Sequence, residues 1–154
     1  MHRSLLDLLV DSISKMPLQV EAAQREVGDE ILEGRLRGSE RRSYTITNGI
    51  PRLVLEADAD QEQTGRSFDF KWRQRKSYDS PQVHREAQQW LAKRYGFESI
   101  EQMQDFFARR KEILDAGCGS GFSSSLWLSP SWKGEGRAEW VGVDISSAID
   151  VARE

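Results

Sequence analysis

Asp115-Ala116-Gly117-Cys118-Gly119-Ser120-Gly121 is the part of this chain best suited to chemistry. It follows the apolar run Ile113-Leu114 and precedes a stretch, Ser123 to Leu128, that starts a helix. Glycines at such a place let the backbone turn sharply and let a ligand approach with no side chain in the way. The helix that follows presents free N–H groups to a polar ligand. Asp144 stands 23 residues after Gly121, at the end of a second apolar run, Glu139-Trp140-Val141-Gly142-Val143. An acidic residue there can accept hydrogen bonds from both hydroxyls of a ribose. Cys118 lies in the same turn, and a thiolate is stabilised at a helix N-terminus. No histidine is near it in sequence, so packing is the better reading.

Two classes of cofactor use a glycine turn between a strand and a helix. The dinucleotide pattern G-x-G-x-x-G, counted from Gly117, needs glycine or alanine where Phe122 stands; counted from Gly119 it needs one at Ser124. The spacing present is G-x-G-x-G, with an aspartate two residues before the first glycine. A carboxylate is poorly placed beside a pyrophosphate, which disfavours a nicotinamide-dependent oxidoreductase. Ile113-Leu114-Asp115-Ala116-Gly117-Cys118-Gly119-Ser120-Gly121 resembles the first motif of class I S-adenosylmethionine (SAM)-dependent methyltransferases, and Val141-Gly142-Val143-Asp144-Ile145-Ser146 resembles their second. The resemblance implies SAM as cofactor. It implies that Asp115, Gly117, Gly119 and Gly121 line the methionine side, that Asp144 binds the ribose, and that Ile145 packs on the adenine. SAM has no phosphate, and its charged methionine portion tolerates a nearby carboxylate.

The elements that must hold this turn are legible around it. Ser80 is an N-cap with Pro81 at the first helical position. Val83, Ala87, Trp90, Leu91 and Tyr95 then fall on one face at helical spacing, and Gly96 ends the helix. His84, among polar residues, reads as a surface side chain. Ser99 and Gln102 form a capping-box pattern for a second helix with Ile100, Met103, Phe106 and Phe107 on its apolar face. The run from Ile113 to Ala116 reads as a short buried strand. It should pair in parallel with residues 139–143 through a right-handed crossover. Ser146 or Ser147 caps a further element.

The N-terminal third has another texture. Ser4 and Asp7 can cap a short helix over Leu5, Leu6 and Leu9. Leu18 to Ala22, Ile31 to Arg37 and Ser43 to Ile46 read as short strands, with a turn at Asn48-Gly49. Leu5-Leu6-Asp7-Leu8-Leu9, Glu33-Gly34-Arg35-Leu36-Arg37 and Tyr44-Thr45-Ile46-Thr47-Asn48-Gly49-Ile50-Pro51 resemble the Trm112-like zinc-ribbon family. That family places two C-x-x-C pairs where this chain has Asp11 and Ser14, then Gly38 and Arg41. The resemblance therefore implies a ribbon that kept its shape without its metal. Gln63 to Trp72 resembles the bridge between two such parts, where Phe68 and Trp72 would either fill a core or touch a ligand.

Three segments follow: a degenerate Trm112-like domain at 1–57, a linker or bridge at 58–79, and at 80–154 a helical lead-in with the first βαβ unit of a SAM-binding domain. The expected fold class is α/β, the start of a Rossmann-like methyltransferase fold whose sheet is incomplete, with a small ribbon-like N-terminal domain. The family's later strands, which carry its substrate and catalytic residues, have no counterpart in this sequence. A longer chain or a partner chain would complete the sheet. The expected activity is methyl transfer from SAM to an acceptor whose class the sequence leaves open; the alternative is a non-catalytic adaptor with a vestigial Rossmann part.

Bulk properties narrow the field. Hydrophobic residues make up 38% and charged residues 31%, with 22 basic and 25 acidic residues and a net charge of −3. That balance indicates neither nucleic-acid nor membrane-surface binding. Arg35, Arg37, Arg41 and Arg42 cluster, as do Lys71, Arg73, Arg75 and Lys76, and read as solvated loops. Asp7 and Asp11 interrupt the N-terminal apolar run, so it is neither a signal peptide nor a membrane span, and a cytoplasmic location is the expectation. Cys118 is the single cysteine, which excludes a disulfide framework and a multi-cysteine zinc site. Because thiolates hold structural zinc in such ribbons, metal analysis of the purified protein should find no bound zinc. One zinc per chain would overturn that expectation.

Overall fold

The alternation at Ser43-Tyr44-Thr45-Ile46-Thr47 sets the first half of the fold. Tyr44 and Ile46 point inward while Ser43, Thr45 and Thr47 face solvent. In a computed structural model describing residues 1–54, 80–128 and 139–153, this segment is β3 (Ser43–Thr47) of a four-stranded antiparallel sheet. The other strands are β1 (Gln19–Val27), β2 (Glu30–Arg37) and β4 (Ile50–Pro51), in the order β1-β2-β3-β4. Leu36 pairs with Tyr44 and Gly34 with Ile46, so the apolar side chains share one face. They bury with Met1, Leu18 and Ile31, and each large side chain contributes about 1.5–3 kcal/mol. Leu5 and Leu6 of a 3-10 helix, Arg3–Asp7, and Leu9 just after it close this core. Its cap is His2, whose ring accepts from the Ser4 N–H at 3.3 Å; the expected cap, Ser4, lies inside the helix. Asn48 and Gly49 both take positive φ, at 49° and 74°, as a two-residue I′ hairpin turn requires. The Glu33 carboxylate accepts from the Asn48 N–H at 3.0 Å, which ties the turn to β2 and lowers the Glu33 pKa.

Asp11 is fully buried. Its Oδ1 accepts from the N–H groups of Ile13 and Ser14, both at 2.9 Å, and its Oδ2 accepts from Arg42 Nε at 3.0 Å. The Arg42 guanidinium also donates to Ser39 Oγ at 2.8 Å and Glu40 at 2.9 Å. Gly38 lies so close that a Cβ there would collide with Asp11 Oδ2. Three of the positions singled out for absent zinc ligands, Asp11, Ser14 and Gly38, therefore meet around one ion pair. The fourth, Arg41, is exposed, and its neighbour Arg42 turns inward instead. Arg42 is thus not a solvated loop residue.

The chain divides into two compact units, Met1–Ala57 and Asp58–Glu154. The predicted bridge at 58–79, with Phe68 and Trp72, lies outside the described residues. In the second unit Ser80 Oγ accepts from the Val83 N–H at 3.2 Å and starts α1 (Pro81–Arg94). Ser99 Oγ takes the Gln102 N–H at 3.1 Å and starts α2 (Ile100–Ala108). The reciprocal bond from Gln102 goes to the N–H of Glu98, one residue before the cap, at 2.7 Å. Strands β5 (Glu112–Ala116) and β6 (Glu139–Val143) pair in parallel, from Glu112 opposite Glu139 to Ala116 opposite Val143. Between them α3 (Phe122–Ser125) is shorter than the expected Ser123–Leu128 helix, and residues 129–138 lie outside the description. A last helix, α4 (Ala148–Ala152), follows β6.

Leu91, Ala92, Met103, Leu126 and Trp127 form the core of this unit. Phe107 stands against Trp140 of β6, with ring centroids 4.9 Å apart, and against Trp127 at 5.6 Å. Gln88 anchors the segment after α3 by donating to the Leu126 carbonyl at 2.7 Å. Three expectations are corrected. Trp90 and Tyr95 are exposed, because α1 buries the stripe through Ala87, Leu91 and Ala92 instead; Arg94 covers the Trp90 ring. His84 is half-buried with its ring edge-on to Phe122. Strand β5 is not buried on both faces: Ile113 faces the helices while Leu114 is 67% exposed. The architecture is thus mixed α/β, with a small antiparallel sheet and a parallel strand pair. Among the described residues no helix is long and apolar enough to cross a membrane.

Burial alone would raise the Asp11 pKa, but hydrogen bonds from Ser14, Arg42 and Ile13 hold it well below the usual carboxylate range. A carboxylate depressed in the folded state stabilises above its unfolded pKa of about 4, and that contribution disappears as pH falls through the folded value. Asp11→Asn should therefore lower the thermal midpoint at neutral pH, and its difference from wild type should shrink below about pH 4. Circular dichroism melts across pH check this, and a difference constant down to strong acid would contradict it.

Candidate functional site

The candidate site lies where β5 and β6 end. Gly117, Gly119 and Gly121 carry φ of 79°, 55° and 74°, all in the left-handed region that side chains resist. The alternation of such residues folds the loop back over the end of β6. The N–H groups of Gly117 and Cys118 both donate to the Val143 carbonyl, at 2.8 and 3.1 Å. Gly121 N–H donates to the Cys118 carbonyl at 2.9 Å, and Gly119 N–H donates to Asp144 Oδ2 at 2.7 Å. These four donors are therefore engaged inside the loop.

Asp144 is the clasp. Its Oδ1 accepts from both the N–H and the hydroxyl of Ser146, at 2.7 and 2.6 Å. Burial pushes its pKa up, but the donors from Ser146, Gly119 and Ile145 outweigh that and leave it lowered, so the group is an anion at neutral pH. Asp115, at the end of β5, accepts from the Ser124 hydroxyl of α3. Among the described residues neither carboxylate has a Lys or Arg ion-pair partner. The thiol of Cys118 registers the resulting field: burial, then the charges of Asp115 and Asp144, push its pKa up to about 11. A thiol held neutral in this way is a packing residue. It fills the space over Gly142, where a Cβ would stand 2.8 Å from Sγ.

The predicted site residues fall in one neighbourhood with distinct environments. Gly117 is exposed, with open space where a side chain would start. Gly119 is buried beneath the loop. Gly121 packs against α4, so closely that a Cβ added there would stand 3.2 Å from Ala152 Cβ. Ile145 follows Asp144 and is 50% exposed. Ser124 and Ser120 join this set without having been singled out, and Ser146, expected as a helix cap, joins it as a partner of Asp144. The Asp144-x-Ser146 spacing is a readable signal, since Ser and Asp side chains often bond backbone and each other across two residues. Ser124 carries no such signal, because only the fold brings it to Asp115. Ser120 is 1% exposed, and among the described residues its hydroxyl is the buried side-chain oxygen that finds no hydrogen-bond partner.

A chain of a solved structure described as a "Complex between the Haloferax volcanii Trm112 methyltransferase activator and the putative methyltransferase" is 45% identical over 35% of this chain and 92% of its own length, with a TM-score of 0.32. No protein-family model matches the chain, and no curated protein does.

The contact of Gly142 with Cys118 supplies a direct check on the site's packing. Gly142→Ala should destabilise the second unit by about 1–3 kcal/mol through overpacking. The same substitution in a Cys118→Ala background should cost less, because the obstructing sulfur is gone. Denaturant unfolding of the four proteins measures the coupling, and strictly additive effects would contradict the contact.

Proposed function

We propose that the second unit is the cofactor-binding part of a SAM-dependent methyltransferase, and that the first unit is a metal-free, Trm112-like ribbon attached to it. The observation that carries this reading is the Asp144 carboxylate at the end of a parallel strand pair, clasping the glycine loop with no cationic partner among the described residues. With Asp115 nearby, the site offers negative charge and acceptors, while the N–H groups of Gly117, Cys118, Gly119 and Gly121 are already engaged. That chemistry suits a cation rich in hydroxyl donors and free of phosphate. It does not suit a pyrophosphate.

The residues present fit SAM in kind: two carboxylates, an exposed glycine approach at Gly117, and a buried hydroxyl without a partner. Gly117 would admit the methionine portion, Asp144 would hold the ribose, and Ile145 would offer an apolar surface to the adenine. SAM supplies a methyl on a sulfonium, a good leaving group, so positioning of the acceptor does much of the catalytic work. A carboxylate has about four acceptor positions. Ser146 supplies two donors on Oδ1, Gly119 one on Oδ2, and Ile145 donates as well, so ribose hydroxyls would take the place of donors that Asp144 already holds.

A second reading, a binding module that recruits another protein, is favoured by a separate observation. Leu8, Val10, Ile13 and Met16 are exposed large apolar side chains on the hairpin that leads through Asp11. The two readings differ at the glycine loop.

Calorimetric titration of this chain with S-adenosylhomocysteine, the demethylated product, tests the choice. Binding should occur, and Asp144→Ala should weaken it by about 1–3 kcal/mol. Gly119→Val should weaken it at least as much, because a branched side chain resists φ near 55°. Unchanged affinity in both variants, or preference for NADH, would reject the methyltransferase reading; no binding at all would leave the adaptor.

A further inference from the structure

The end of α2 carries a cleft that the glycine-loop site does not use. Its volume is about 410 Å³, and it is lined by Phe97, Gln102, Asp105, Phe106, Arg109 and Arg110. Phe97 and Phe106 supply its aromatic part, with ring centroids 5.4 Å apart. The Arg110 guanidinium lies over the Phe106 ring, 4.2 Å from its centroid, and Phe106 is still 40% exposed. The same arrangement recurs on α1, where Arg94 lies over Trp90 at 5.1 Å and Trp90 is 59% exposed. In both pairs the arginine follows the aromatic by four residues, about one turn of helix.

The charged groups of the cleft are not used up by one another. Asp105 stands one turn before Arg109, a spacing that favours an ion pair. Among the described residues, however, neither of them is in an ion pair, nor is Arg110. Lys111 extends the basic run to Arg109-Arg110-Lys111. The net charge of −3 belongs to the whole chain, whereas a phosphate at this place responds to charges within about 10 Å.

Three chemistries therefore meet in one concave place: ring faces for stacking, guanidiniums for an anion, and a carboxylate that accepts. An acidic peptide would use the guanidiniums but leave Asp105 and the rings without complements. A nucleotide uses all three, since its base stacks, its phosphate meets arginine and an exocyclic amino group donates to a carboxylate. Two exposed aromatic–arginine pairs suit successive bases of a strand better than one free nucleotide. A duplex hides the faces of its bases, so the strand is single, and unpaired stretches of this kind are what proteins read in RNA.

We propose that this surface binds single-stranded RNA, with one base in the cleft beside Asp105, its phosphate on Arg109 and Arg110, and Trp90 as a platform for a further base. The proposal stands apart from the glycine loop and does not depend on the cofactor reading.

Fluorescence anisotropy of the full chain with labelled oligoribonucleotides of about twelve residues tests it. Oligocytidylate should bind more tightly than oligouridylate, because cytosine offers an amino donor to Asp105 and uracil does not. Asp105→Asn should abolish that preference. Phe106→Ala and Trp90→Ala should each weaken binding about tenfold, the worth of one stacked base. Replacing Arg109 and Arg110 together by Glu should weaken it at least tenfold and flatten its salt dependence. Trp90, Arg109 and Arg110 are exposed, so their variants should keep the wild-type circular dichroism melt. Several results would overturn the proposal. They are no binding of either oligomer at low salt, wild-type affinity in the double arginine variant, or a duplex bound as tightly as the single strand. Cytidine monophosphate matching the oligomer would mark a free-nucleotide site, and polyglutamate matching it would mark an acidic protein partner; either would equally reject the RNA strand.

Discussion

A carboxylate that accepts backbone N–H groups from a loop is the device on which both units depend. Asp11 accepts from Ile13 and Ser14; Asp144 accepts from Gly119 and Ser146. In each unit the loop buries few apolar side chains of its own and could not hold its shape by burial. Hydrogen bonds to an ionised acceptor are shorter and stronger than neutral ones, and each satisfies donors that would otherwise be left unpaired. Removing either carboxylate would free several backbone groups at once, so each loop is an all-or-none structure.

The two clasps differ in how their charge is settled. Asp11 is fully buried and meets Arg42, whose guanidinium is itself fixed by Ser39 and Glu40. A buried ion must be paired to persist, and a paired ion has nothing left to offer a ligand. Gly38 reinforces the point, since its missing side chain is what lets Asp11 occupy that space. Asp144 is only partly buried and, among the described residues, meets no cation. Together with Asp115 it adds a negative field to the burial that pushes up the Cys118 pKa. The same chemical device is therefore closed in the first unit and open in the second, and it is the open one that has the character of a binding site.

Local rules carried the sequence reading a long way. The caps at Ser80 and Ser99, the turn at Asn48-Gly49 and the parallel pairing of 112–116 with 139–143 all follow from residue types at short range. The glycine loop was legible for the same reason, because glycines at alternate positions announce a backbone that side chains would forbid. What stayed hidden depended on distance in sequence. Nothing in the spacing of Asp11 and Arg42 marks them as partners across 31 residues, and periodicity could not say that α1 buries Ala92 rather than Trp90. A stripe of apolar residues gives a face, but which edge of that face meets the core is decided by the neighbours Met103, Leu126 and Trp127. Ser124 falls in the same class, since its bond to Asp115 exists only once α3 and the loop are folded.

The open face of the parallel pair completes the physical picture. Ile113 and Trp140 turn toward the helices, where Phe107 covers Trp140, whereas Leu114 and Val143 on the opposite side are 67% and 45% exposed. Parallel strands are ordinarily covered on both faces. The glycine loop is nonetheless held entirely by bonds that originate in β5, β6 and the residues directly after them. The negative, loop-engaged character of the candidate site is therefore a property of the local βαβ geometry, and it would persist whatever covers the outer face.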